Sequence, residues 1–257
     1  MSEREFVEDL ARQAGTLAIA ALGTLRRELK PDQSIVTNID TAVEAFVRRA
    51  IAESYPEDAF YGEESGGDPL AGRRVWVVDP IDGTTNLACG LPSWGVSIGL
   101  VEDGEPKAGA FYLPKMQDCF SFARGEGATL NGVPLKAEDR GPLQMEDPVG
   151  IGSEILLRTD LSCFSGRQRN TGSLTAHWCY VASGALRANV SVLEKLHDLA
   201  AAWGMVTEAG CVVEYFSGGV ARLQTFLEQT TNRRPLLVGP PETLDRIRAV
   251  VRVPAEV

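Results

Sequence analysis

The sequence predicts an α+β protein in which helices and strands pack in layers. Three observations carry this expectation. Two amphipathic helix patterns open the chain, a block of apolar strands fills its middle, and helices and strands mingle in its second half.

Taken in order, Phe6, Leu10, Leu17, Leu22 and Leu25, with alanines between them, form the apolar stripe of a long first helix. The polar stretch Lys30-Pro31-Asp32-Gln33-Ser34 is expected to end it. A second helix should run from about Asp40 to Ser54, with Val43, Phe46, Val47, Ala50 and Ile51 inward. Thr37 and Asp40 have the spacing of a capping box at its start. Tyr55-Pro56-Glu57-Asp58 reads as a turn, and Ala59-Phe60-Tyr61 as a short strand ending at Gly62-Glu63-Glu64-Ser65. Val75–Val78 is a continuous apolar run, as in a strand covered on both faces, and Pro80 is expected to turn the chain after it. Gly95–Val101 and Lys107–Leu113 flank Glu102-Asp103-Gly104-Glu105, a hairpin signal. Asp118–Ala123 is a further strand, followed by the turn Gly125-Glu126-Gly127. The charged, proline-containing stretch Ala137–Pro148 separates subregions of about 1–140 and 149–257 within one domain spanning 1–257. Beyond it, Ser173–Ser183 and Asp198–Ala209 read as helices, and Leu186–Leu193, Cys211–Tyr215 and Leu236–Val238 as strands. Pro241–Val251 is expected to be a final helix.

Composition narrows the function. The formal net charge of −10 disfavours nucleic acid and anionic membranes as partners, since no basic stripe offsets it. No apolar stretch reaches the roughly 20 residues that cross a bilayer, and the N-terminus lacks the features of a signal peptide. Five scattered cysteines, never in a CxxC pair, fit reduced thiols and a cytoplasmic location. With His177 and His197 as its two histidines, the chain is poorly supplied for histidine-rich zinc sites or Ser-His-Asp triads. Carboxylates must carry the chemistry.

Acids with matching context stand at four places: Asp40, Glu63 with Glu64, Asp79 with Asp82, and Asp198. Three of these have ordinary readings. Asp40 serves equally as a helix cap, Glu63 and Glu64 as solvated loop acids, and Asp198 as a first-turn acid of its helix. The run Trp76-Val77-Val78-Asp79-Pro80-Ile81-Asp82-Gly83-Thr84-Thr85-Asn86 is different. Asp79 closes an apolar strand, where an unpaired carboxylate is costly, and no basic residue follows it before Lys107. Two carboxylates three residues apart, beside the amides of a Gly-Thr-Thr loop, suit a divalent cation bridging protein to phosphate.

This run resembles the first signature of the inositol monophosphatase family of magnesium-dependent, lithium-sensitive phosphatases. Phe60-Tyr61-Gly62-Glu63-Glu64-Ser65 is similar to its Gly-Glu-Glu-Ser element, and Val36-Thr37-Asn38-Ile39-Asp40 to its Val-Thr-x-x-Asp element. His197-Asp198-Leu199-Ala200-Ala201, followed by Glu208-Ala209-Gly210, resembles the second signature. The similarity spans nearly the whole chain in the expected order. It implies a layered αβαβα sandwich of the sugar-phosphatase type, a homodimer, and two or three Mg2+ ions, with Mn2+ as the substitute. By resemblance, Glu63, Asp79, the Ile81 carbonyl and the Thr84 hydroxyl surround one metal. Asp79, Asp82 and Asp198 surround a second, and Glu63 helps to hold a third. The amides of Gly83 and Thr84 would hold the phosphate of a small phosphate ester. Asp82, Leu174 and Asp198 would line the substrate side. The implied reaction is hydrolysis of a sugar, polyol or related phosphomonoester by a water that the metals activate, with Thr84, Asp40 and Glu63 positioning and deprotonating it.

The departures bear on substrate. His197 stands where the family usually has tryptophan, and reads as a packing substitution. Leu174 replaces an alanine of the animal inositol phosphatases, and Ser191 falls where they have a glutamate that grips inositol hydroxyls. Lys30 in its polar turn is reminiscent of histidinol-phosphate and nucleotide-phosphate branches, although a surface role is the plainer reading. Arg167 and Arg169 read as solvated. Fructose-1,6-bisphosphatase, histidinol-phosphatase, 3′-phosphoadenosine nucleotide phosphatase and an inactive metal- or partner-binding member are the alternatives.

Overall fold

Local caps fix the first two helices of the computed structural model, which describes residues 1–229 and 231–254. Ser2 and Glu5 form a capping box for α1 (Glu3–Ala21), and Thr37 and Asp40 form one for α2 (Asn38–Ser54). Between them a helical turn at Leu22–Thr24 leads into the two-stranded ribbon β1 (Arg27–Leu29) and β2 (Ile35–Thr37). The first helix therefore ends earlier than expected. Lys30–Ser34 is the turn of a hairpin and not a helix stop: Gln33 adopts a left-handed φ of 69°, and the Asp32 carboxylate accepts from the Ser34 amide and hydroxyl.

The larger sheet has the order β3 (Ala59–Gly62), β4 (Arg74–Asp82), β5 (Gly95–Glu102), β6 (Glu105–Leu113), β7 (Asp118–Ala123), β8 (Gly127–Leu130) and β9 (Val133–Pro134). Its first pair is parallel and the rest are antiparallel. The β5–β6 connection is the expected tight turn, with Asp103 and Gly104 both at positive φ. β4 runs further than its apolar core suggests. Pro80 does not turn the chain away; it lies in a register shift between Asp79 and Asp82, where a residue without an amide hydrogen costs the ladder little. After Gly83 the short helix α3 (Thr84–Cys89) begins.

The second sheet has the order β11 (Arg167–Arg169), β10 (Pro148–Ile151), β12 (Asn189–Ser191), β14 (Leu236–Gly239) and β13 (Val212–Tyr215). Its helices are α4 (Ser153–Leu156), α5 (Leu174–Ala182), α6 (Leu196–Glu208), α7 (Leu223–Gln229) and α8 (Pro241–Val250). The strand expected at Leu186–Leu193 shrinks to three residues, because the chain must leave the sheet there to reach α6.

Period-two alternation assigns the layers. Trp76 and Val78 of β4 pack with α1 and α2, whereas Val75 and Val77 join a second core containing α5 and α6. Leu236 and Val238 of β14 face that second core, and Leu237 faces a third with Leu244 and Ile247 of α8. The stacking is helices, sheet, helices, sheet, helices: an αβαβα sandwich. One glycine sets the spacing of its centre. A Cβ on Gly99 would stand 2.8–2.9 Å from backbone and side-chain atoms of Ala200 and Ala201, so its absence lets α6 lie directly on β5.

Candidate active site

The C-terminal end of β4, the loop after β3, and the starts of α3, α5 and α6 meet at one cavity of about 540 Å³. Asp79, Asp82 and Asp198 each bring a carboxylate oxygen to within 4.8 Å of the other two. Glu63, Asp79 and His197 form a second such group sharing Asp79. Acids separated by more than a hundred residues in sequence are thereby gathered at one point.

Each is held by local chemistry. The Ile81 amide donates to Asp79 Oδ1 at 2.9 Å. The Ser173 hydroxyl and the Thr175 amide donate to Asp82 Oδ2 at 2.8 and 2.7 Å. Asp198 closes the first turn of α6, accepting from the Lys195 amide at 3.1 Å. Its ordinary reading as a helix-start acid is thus also true, and its second oxygen is left for the site. Asp40 has the same double use. One of its oxygens accepts from the amide and hydroxyl of Thr37, and the other lies 3.0 Å from Thr84 Oγ1. The Thr84 hydroxyl is also 2.9 Å from the Ile81 carbonyl oxygen.

Burial dominates the electrostatics. It raises Asp79 well above the usual carboxylate range, with the charges of Glu63, Asp82, Asp198 and Asp40 adding to the effect. Burial, reinforced by Asp198, pushes Asp82 to about 6 despite its hydrogen bonds from Thr175 and Ser173. It likewise pushes Asp198 to about 7 against the Lys195 amide. Burial also raises Asp40, opposed by Thr37 and Thr84. Glu63 is the exception: burial pushes it up, but His197 and Lys30 beside it outweigh that and hold it below its usual value. Carboxylates this close and this poorly hydrated ionise together only beside a positive charge. The donor set is rich in hard carboxylate, carbonyl and hydroxyl oxygens, which fit Mg2+ or Mn2+.

Gly83 stands at the head of α3 with a φ of 93°. A Cβ there would lie 2.9 Å from the Ser93 carbonyl, so both conformation and space call for glycine. Leu174 and Ser191 line the cavity. Arg167 and Arg169 are exposed and do not line it; Arg167 pairs with Glu146.

Several contributors escaped the sequence reading. Lys30 is not plain surface. Its ammonium bonds Glu63 at 2.9 Å and Glu64 at 2.7 Å, because the β1–β2 ribbon folds its turn over the loop after β3. Glu44 on α2 is buried and accepts from the amides of Glu64 and Ser65, both at 2.8 Å, bracing the loop that carries Glu63. Its signal was an acid four residues beyond Asp40, among the inward positions of a helix. Glu194 on the cavity wall is also buried; burial raises it to about 7, although Ser191 and Asn232 bond to it. His197 does not pack away from the acids. Its Nε2 lies 3.9 Å from both Glu63 Oε1 and Asp198 Oδ1, and burial lowers its pKa to about 4.

Comparison with known proteins agrees with this geometry. The family model described as "Inositol monophosphatase family" matches residues 2–252. "Nus factor SuhB" of Pasteurella multocida is 34% identical over 226 residues, covering 81% of this chain and 83% of that protein. The "Histidinol-phosphatase" of Chlorobaculum parvum is 32% identical over 218 residues, covering 80% and 83%. The solved structure of the Thermotoga maritima IMPase superposes with a TM-score of 0.84 at 27% identity, covering 97% of this chain and 98% of that one. The convergence of these acids on one cavity and the match along almost the whole chain have one meaning: the chain belongs to the inositol monophosphatase family and is a phosphatase, a hydrolase of phosphomonoesters.

Proposed function

We propose that the chain is a Mg2+-dependent phosphomonoesterase acting on a small sugar, polyol or related phosphate. The observation that carries this reading is the cluster of buried Asp79 and Asp82 with half-buried Glu63 and Asp198 beside Gly83 and Thr84. In this proposal Glu63, Asp79, the Ile81 carbonyl and the Thr84 hydroxyl hold one cation. Asp79, Asp82 and Asp198 hold a second, and Glu63 shares a third. When bound, the cations neutralise the clustered carboxylates and polarise the phosphoryl group for in-line attack.

The protein groups supply position and proton transfer. Thr84 Oγ1 carries one proton and has two acceptors, Asp40 and the Ile81 carbonyl. Whichever it serves, a lone pair remains to accept from an attacking water. Glu63, kept ionised at neutral pH, is the base that takes the proton the water sheds as its oxygen bonds phosphorus, and that proton is returned to the leaving alkoxide. The amides of Gly83 and Thr84 receive phosphate oxygens, with glycine leaving the approach clear. Asp82, Asp198 and Leu174 border the leaving alcohol. A homodimer and a cytoplasmic location complete the proposal; they rest on the family resemblance and the scattered thiols, and light scattering checks the first.

The relative named histidinol-phosphatase makes an amino-alcohol phosphate a second substrate class to assay beside inositol phosphates, fructose bisphosphate and adenosine bisphosphate. Phosphate release should require Mg2+ and be lost in Asp79→Asn and Asp82→Asn. Turnover retained by either variant, or independent of metal, would overturn the mechanism. An absence of phosphate release at any metal concentration would favour a binding protein.

A further inference from the structure

The proposed sites use oxygen donors, yet a nitrogen faces the same point. His197 is the second residue of α6, immediately before Asp198, and its side chain is 7% exposed. The docking of α6 against Gly99 and the Asp198–Lys195 cap fix the backbone at this position. The ring consequently projects between the two carboxylate groups. Its Nε2 is 3.9 Å from Glu63 Oε1 and 3.9 Å from Asp198 Oδ1, too far for a hydrogen bond. Its Nδ1 is buried without a partner, and among the described residues neither ring nitrogen makes a hydrogen bond.

A residue recruited only for packing would not need a buried Nδ1 without a partner and an Nε2 facing carboxylates, since a phenylalanine ring offers similar volume without the desolvation cost. Three ligand atoms, one each from Glu63, Asp79 and His197, lie within 4.8 Å of one another. Two donors about 2.0–2.2 Å from a common ion can stand up to about 4.2 Å apart, so the observed spacing needs only small side-chain adjustment. Imidazole is a softer donor than carboxylate and shifts preference along the first-row series away from Mg2+.

We infer that His197 is a metal-donor residue, whose Nε2 completes a mixed nitrogen–oxygen site with Glu63 and Asp79 that binds Mn2+ in preference to Mg2+. This rests on the acids binding divalent cations, as proposed above, but adds a donor that the oxygen set does not contain. The carboxylates make the site cation-binding; the histidine makes it selective.

The test is pulsed electron paramagnetic resonance on the full chain loaded with Mn2+. Electron spin echo modulation from an imidazole nitrogen is expected in the unaltered protein and should vanish in His197→Phe, with His197→Gln as the second variant. By equilibrium titration, Mn2+ affinity should fall about tenfold in these variants while Mg2+ affinity changes less than about threefold. Bound Mn2+ without nitrogen modulation overturns the inference and leaves the oxygen-ligand reading standing, even where neither variant folds. Modulation that persists without His197 also overturns it. Failure of the unaltered chain to bind Mn2+ or Mg2+ removes both.

Discussion

Thr84 shows how little separates a structural residue from a reactive one. Its hydroxyl closes a local turn onto the Ile81 carbonyl, an arrangement common wherever a short helix begins, and the same oxygen meets Asp40 from a distant helix. Replacing Thr84 by valine keeps the volume and deletes the proton. In the proposed mechanism kcat should fall by about 10²–10⁴-fold with a smaller change in KM. Steady-state kinetics at saturating Mg2+ is the check, and a rise in KM with kcat unchanged would indicate lost binding instead. The paired acids Asp79 and Asp82 were legible because a carboxylate at the end of an apolar run is energetically conspicuous. Lys30, Glu44 and His197 were not. Their local surroundings, a polar turn, a helix face and a family substitution, give no sign of which distant carboxylate each will meet.

At the scale of elements, the site depends on how closely α6 approaches the larger sheet. Gly99 on β5 meets Ala200 and Ala201, and α6 then delivers Asp198 to the end of β4. Gly99→Ala introduces a Cβ where the helix backbone already stands, so α6 must move outward. The expected cost is about 1–3 kcal/mol in urea unfolding, together with weaker Mg2+ binding because Asp198 moves with its helix. Unchanged stability and metal affinity would show that the contact is slack. Most element boundaries were legible from periodicity and caps, including the tight β5–β6 turn and the start of α2. Two of the errors share a cause. Proline marks only an interruption of regular backbone pairing, and both the β1–β2 turn and the bulge at Pro80 satisfy that condition.

For the whole molecule, folding gathers acids whose mutual repulsion and burial oppose it. Asp82 rises from 3.8 to about 6 and Asp198 to about 7 in the folded chain. A carboxyl raised on folding contributes stability that is present below its unfolded value and lost as pH rises through its folded value. The metal-free protein should therefore lose this contribution between about pH 4 and 7. His177 and His197, both lowered to about 4, act in the opposite sense over the same range as they lose the protons they would bind when unfolded. A cation needs the carboxylates ionised, so the increase in Tm on adding saturating Mg2+ should grow from pH 5 to pH 8. Thermal melts with Mg2+ and with a chelator decide the matter: a Mg2+ effect that is flat or shrinking with pH would show that these acids do not hold the ion.

Local patterns in the chain are enough to identify the residues able to do chemistry and the layered class of fold that carries them. Hydrophobic periodicity and capping are local properties, and a carboxylate at the end of an apolar strand requires a counter-charge wherever the strand lies. How those residues combine is set by the packing of the folded chain. It brought the Lys30 ammonium onto Glu63 and Glu64, braced their loop with Glu44, and turned His197 toward the shared acids. The reason is physical: such contacts depend on the register of β4 against β5 and on the depth at which α6 sits. Both are set by packing between segments far apart in the chain, which no local pattern encodes.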